Sequence, residues 1–192
     1  SQMLRLGQEE VDKLNDSDRE GIVRALERIR IRPESFLEKL VGEEGYKFKV
    51  GNYRSIKDIV TLSLKATSDK EHLRENTFLF KGQRYLKTTA VYGASASGKS
   101  NLLKAIRFMS SFVKHSSHTR DQNEEIPVES FRFSSDTDTK PSFFEIELAC
   151  KNTIYNYGFE VDNKKVHKEW LISKPKGYRR VLFEREGDHI EV

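Results

Sequence analysis

The chain changes its hydrophobic period along its length, and each period predicts an element. From residue 4 to about 42 the apolar positions repeat at helical spacing. Ile22, Val23, Leu26 and Ile29 share a face after the capping-box sequence Ser17-Asp18-Arg19-Glu20, and Phe36, Leu37, Leu40 and Val41 form a second stripe after Pro33. Two short amphipathic helices bury little by themselves, so residues 1–45 are expected to form a helical N-terminal appendage that packs on the rest of the chain or on a partner. At Tyr46 the period becomes two: Tyr46, Phe48 and Val50 alternate with Lys47 and Lys49, and Val60, Leu62 and Leu64 with Thr61, Ser63 and Lys65. A hairpin is expected around Lys81-Gly82-Gln83, its second strand running on through Tyr92 into Gly93. The period then turns helical from Lys99 to Val113, with Leu102, Ile106, Met109 and Val113 on one face and Leu103, Ala105 and Phe112 beside it. A polar stretch, His115 to Glu125, separates this helix from a run of strand signals: FFEIELA, TIYNYGFEV, VHKEWLIS, RRVLFERE and HIEV. Turn residues at Lys151-Asn152, Asp162-Asn163, Pro175-Lys176-Gly177 and Gly187-Asp188 divide them into an antiparallel meander.

Where the strand signal gives way to the helix, the chain reads Gly93-Ala94-Ser95-Ala96-Ser97-Gly98-Lys99-Ser100-Asn101. This satisfies G-x-x-x-x-G-K-[ST], the phosphate-binding P-loop. Gly93 and Gly98 let the backbone curl into a nest, and the small residues between them leave room for it. The following helix presents its positive end. Lys99 would reach the β- and γ-phosphates, and the Ser100 hydroxyl would take one position on Mg²⁺. ATP with Mg²⁺ is therefore the expected cofactor pair. No catalytic residue is assigned. The run of apolar residues closed by an acid that a hydrolase needs is not found: Glu160 interrupts the one ending at Asp162, and Glu145 and Glu147 fall on one strand face read as solvated.

Composition narrows the class. The chain has 192 residues, 36% hydrophobic and 33% charged, with a formal net charge of +4, as expected of a soluble domain with one core and an appendage. No run approaches the roughly 18 apolar residues of a membrane span, and no signal peptide is visible. The one cysteine, Cys150, excludes an internal disulfide framework, fits a reducing cytoplasm, and is read as a core residue. The mild basicity permits nucleic-acid binding without requiring it.

The stretches FKVGNYRSIKDIVTLSLKA, KTTAVYGASASGKSNLLKAI and KPSFFEIELACKNTIYNYGFEVDNKKVHKEWL, with VLFERE after them, resemble the N-terminal part of bacterial ABC-type (AAA, OLD- and SMC-like) ATPase heads. Many such heads belong to phage-defence and abortive-infection systems, some with nuclease partners. The resemblance covers residues 46–192. It implies an α/β fold, a P-loop NTPase of the ABC-ATPase-like lobe type with an antiparallel β meander. It implies that Asn52, Arg54 and Ser55 line the base and ribose side of the nucleotide. It also implies that the Q-loop, signature motif, acidic Walker B pair and switch histidine lie beyond the meander, in a C-terminal half on the same or another chain, with a homodimer as the assembled state. Ser95 departs from the pattern, which usually has Asn there and uses it across the dimer.

Other features are read as structural. His115 and His118 lack companions for a metal site, Gln122 precedes the meander and so is misplaced for a Q-loop, and Trp170 is an anchor of the meander. Three functional readings stand: the nucleotide-binding half of an ABC-type ATPase, a non-catalytic nucleotide- or DNA-binding interaction module, and a small P-loop kinase. The meander argues against the kinase, because kinases follow the P-loop with βα units.

Overall fold

The computed structural model describes residues 47–68, 71–115, 125–134, 137, 139–150, 153–175, 177–187 and 189–191. The helices expected in residues 1–45, His118 and Gln122 lie outside them. Period-two segments assemble into one antiparallel sheet. Strand β1 (Lys47–Gly51) pairs with β2 (Val60–Ser63) on one side and with β5 (Ser142–Cys150) on the other; β6 (Thr153–Val161), β7 (Val166–Pro175), β8 (Arg180–Glu186) and β9 (His189–Glu191) follow in order, giving β2-β1-β5-β6-β7-β8-β9. The meander expected from the turn residues is formed, and Asp162 shows why it turns where it does. Its Oδ1 accepts the amides of Lys164 at 2.7 Å and Lys165 at 2.8 Å, and its Oδ2 meets His167 Nε2 at 2.7 Å.

Alternation gives the sheet two unlike faces. Phe48, Val50, Phe144, Ile146, Leu148, Tyr155, Tyr157, Phe159 and Val161 point to one side and are buried there. Helix α2 (Lys99–His115) covers that side with Ala105, Ile106, Met109 and Phe112. Phe108 joins them: its ring lies 5.0 Å from that of Phe144, which is 5.2 Å from Phe159, which is 4.4 Å from Phe112. The opposite face carries charge. Lys49 meets Glu145 at 2.7 Å and Lys174 meets Glu147 at 3.4 Å, and the glutamate side chains are 17% and 30% exposed, less than a solvated face would leave them. Trp170 lies flat there over Gly158, where an added Cβ would come within 2.2 Å of the indole, and its Nε1 donates to Asn156 Oδ1 at 2.9 Å. This is the anchoring role expected of it.

The hairpin β3 (Thr77–Phe80) and β4 (Gln83–Leu86) follows the short helix α1 (Leu73–Asn76). Lys81 and Gly82, with φ of 47° and 79°, make its two-residue turn. The hairpin attaches to the chain just beyond β2, where Leu86 N donates to Leu64 O at 2.7 Å and Ala66 N to Arg84 O at 2.9 Å.

One expectation needs correction. The second strand of this hairpin does not continue to Tyr92; β4 ends at Leu86, and residues 88–94 have no ladder partner among the described residues. Threonine, valine and tyrosine favour an extended backbone, but a strand exists only by pairing with a neighbour. Val91 and Tyr92 are 45% and 89% exposed as a result.

Candidate nucleotide-binding site

The P-loop stands at the N-terminus of α2, at the sheet end where β1 finishes. Its lysine closes it: Lys99 Nζ donates to Gly93 O at 2.9 Å, Ala94 O at 2.6 Å and Ser97 Oγ at 3.2 Å. Gly98 has φ of 89°, a conformation that needs glycine, and Ala96 shares the left-handed region at 61°. At Gly93 an added Cβ would lie 2.9 Å from Ser97 Oγ and would push that hydroxyl aside. Gly98 O accepts the amides of Asn101 at 2.9 Å and Leu102 at 3.1 Å, which starts the helix ladder. The amides of Lys99 and Ser100 precede that ladder and suit an anion. Ser100 is exposed at the same end.

The donor set fits a nucleotide phosphate. Lys99 is exposed enough to exchange its loop carbonyls for phosphate oxygens, the loop backbone can cradle the β-phosphate, and Ser100 can supply a hydroxyl to Mg²⁺. A bound Mg²⁺–ATP would bring its own metal charge to polarise the γ-phosphate, while these residues bind and orient it.

The β1 turn lies directly against this loop. Asn101 Nδ2 donates to Ser55 Oγ at 2.6 Å, and Ser55 Oγ stands 3.4 Å from where a Cβ on Gly98 would be. Arg54, at φ of 51°, pairs through its guanidinium with Glu129, and its amide donates to Glu129 O at 2.8 Å. Asn52 is turned inward. It is 7% exposed, and its Nδ2 donates to Lys140 O at 2.7 Å and Thr137 O at 3.1 Å while its Oδ1 accepts the Phe131 amide at 3.1 Å. With its amide committed to these backbone groups, Asn52 shapes the turn that presents Arg54 and Ser55. Of the residues named from sequence, Gly93 to Asn101 and Ser55 come together; Arg54 is adjacent, and Asn52 stands behind them. Glu129 is the residue that sequence reasoning missed, because no local pattern reveals a contact 75 positions from Arg54.

Residues 88–192 match the family model described as "AAA domain, putative AbiEii toxin, Type IV TA system". The chain belongs to this AAA-domain family. Its P-loop and the whole meander lie inside the match, whereas β1 and its turn lie before it. Neither the characterised proteins nor the solved structures searched with the chain give a match. Among the described residues of this AAA domain, no helix is long and apolar enough to cross a membrane, and no group of three metal-ligating side chains occurs.

Proposed function

We propose that this AAA domain is the ATP-binding part of an ABC-type ATPase head, a nucleotide-driven switch or motor in a phage-defence or DNA-transaction system. The observation that carries the reading is the gathering of Gly93, Ala94 and Ser97 around Lys99 at the first turn of α2. The family description, with its words "AbiEii toxin" and "Type IV TA system", supports the defence setting. In this reading the strand-forming run Thr88–Tyr92 is where a C-terminal half, on the same or another chain, adds its sheet. That half also supplies the acid, and a homodimer completes the site, with a nuclease or nucleic acid as downstream partner.

Titration calorimetry with Mg²⁺–ATP tests the reading. A one-site isotherm is expected, and Lys99→Ala removes it; unchanged affinity in the variant refutes the cradle. One observation favours a non-catalytic module as second reading: Asp162 is held in its turn, and Glu129, Glu145 and Glu147 are paired with Arg54, Lys49 and Lys174. A hydrolase needs an acid or equivalent group to place the attacking water. Phosphate release by the chain alone should therefore not exceed that of Lys99→Ala. Restoration of turnover on adding a C-terminal half would favour the ATPase over the module.

A further inference from the structure

The hairpin between β7 and β8 lies at the end of the sheet opposite the P-loop. The register fixes this: β1 meets the start of β5 at its own end, Gly51 opposite Phe143, and β7 ends at Pro175 opposite Thr153 at the start of β6. The nine-residue strands between these ends span about 30 Å. The sequence from Lys174 to Arg180, KPKGYRR, holds four cations, and no carboxylate occurs from Trp170 to Phe183. Gly177, at φ of 90°, turns the hairpin, with Tyr178 N donating to Pro175 O at 3.2 Å. Tyr178 then stands 80% exposed, far more than packing would leave a ring of that size. Arg179 and Arg180 follow it, both exposed. Among the described residues, Arg179 is held by a surface pair with Glu184 at 2.6 Å and Lys174 by the one with Glu147. Surface pairs of this kind are weak and can yield to a phosphate oxygen.

We propose that the β7–β8 hairpin, through Tyr178, Arg179 and Arg180, binds single-stranded nucleic acid. The charge selects a polyanion. The exposed ring adjoining two arginines selects one that offers flat faces as well as phosphates, which an acidic peptide or a lipid surface does not. Base faces are free to stack only when the strand is unpaired, which favours a single strand over a duplex. The site stands apart from the P-loop and does not depend on nucleotide binding there.

Fluorescence anisotropy of the whole chain with a labelled oligothymidine of about 20 nucleotides, and with a duplex of equal length, tests this across about 50–200 mM salt. Loss of one stacked base, worth about 1–3 kcal/mol, predicts that Tyr178→Ala weakens single-strand binding about 5- to 150-fold and duplex binding less. The pair Arg179→Gln with Arg180→Gln should reduce the slope of log affinity against log salt by about 1.4, at about 0.7 per lost phosphate contact on a single strand. Arg179→Lys with Arg180→Lys should keep that slope, and all these variants should melt with the wild type, because the side chains are exposed. The proposal is overturned by absence of oligonucleotide binding at low salt, or by wild-type affinity in both Tyr178→Ala and the double glutamine variant. It is equally overturned if polyglutamate or anionic vesicles bind as tightly as the oligonucleotide and Tyr178→Ala changes nothing.

Discussion

Replacing Asn52 with alanine separates a structural task from a ligand contact. The change removes the amide that donates to Lys140 O at 2.7 Å and Thr137 O at 3.1 Å and that accepts the Phe131 N–H at 3.1 Å. Each such bond contributes about 1 kcal/mol net, and a buried partner left without one costs somewhat more. The position has φ of 49°, which asparagine tolerates better than alanine, adding a fraction of the roughly 1–2 kcal/mol left-handed penalty. The sum is about 3–4 kcal/mol, a large part of the roughly 5–15 kcal/mol that stabilises a domain. At about 2–4 °C per kcal/mol for a chain of this size, the melting temperature should fall by about 6–16 °C. Urea unfolding followed by the fluorescence of Trp170, the one tryptophan of the chain, measures it directly: the midpoint should drop with the slope unchanged. Asn52→Asp loses the donors and sets a carboxylate against the carbonyls of Thr137 and Lys140, so at neutral pH it should cost at least as much. Part of that cost should return as the pH falls and the acid can donate, from above the usual carboxylate range because burial against the carbonyls disfavours its charge. A loss under about 1 kcal/mol in Asn52→Ala, together with weakened ATP binding, would refute the argument and place the amide on the nucleotide.

Gly158→Ala puts a methyl against Trp170 and 2.9 Å from the Phe144 carbonyl; overpacking of this kind should cost about 1–3 kcal/mol, seen as a lower urea midpoint with a red-shifted indole emission. The Tyr157 hydroxyl donates to Glu169 at 2.7 Å, and burial, reinforced by the Glu169 charge, holds its pKa well above 10. Its contribution is therefore complete below about pH 10 and lost at higher pH, so melting temperatures should fall more steeply above about pH 10 for wild type than for Tyr157→Phe. For Asp162, burial raises the pKa but hydrogen bonds from His167, Lys165 and Lys164 outweigh it and leave it lowered. That contribution is complete above about pH 4 and lost as pH falls further, so Asp162→Asn should flatten the acid limb of the stability profile; an unchanged limb would show that the turn is not held by the carboxylate.

Whether a feature can be read from sequence depends on how local its cause is. The meander is legible because each strand carries its own alternation and each turn its own Gly, Asn, Asp or Pro. The curl of the loop is legible because Gly93, Ala94, Ser97 and Lys99 meet one another within seven residues. Thr88 to Tyr92 shows the limit: composition reports a preference for extended backbone, but pairing belongs to a second segment that composition cannot name. Asn52 shows another limit. The resemblance implies a nucleotide contact for it with Arg54 and Ser55; in the structure carbonyls 85 and 88 residues away take its amide, and no periodicity records partners so distant. Phe108 sits off the helical stripe drawn from Leu102 to Val113, yet three aromatic rings of the sheet side, Tyr53, Phe144 and Phe159, draw it inward.

Strands β1 and β5 are neighbours in the sheet but 100 residues apart at Lys47 and Glu147. Everything that makes the cradle is the excursion between them. Pairings within the meander are short-range, whereas registering β1 on β5 must close a long loop and is expected to follow them. During synthesis the P-loop therefore leaves the ribosome before the strand that will hold Ser55 against Asn101 has its central neighbour. If the loop binds phosphate as proposed, its affinity should rise only once β5 has left the ribosome and β1 acquires a register on it, fixing the turn that braces the loop.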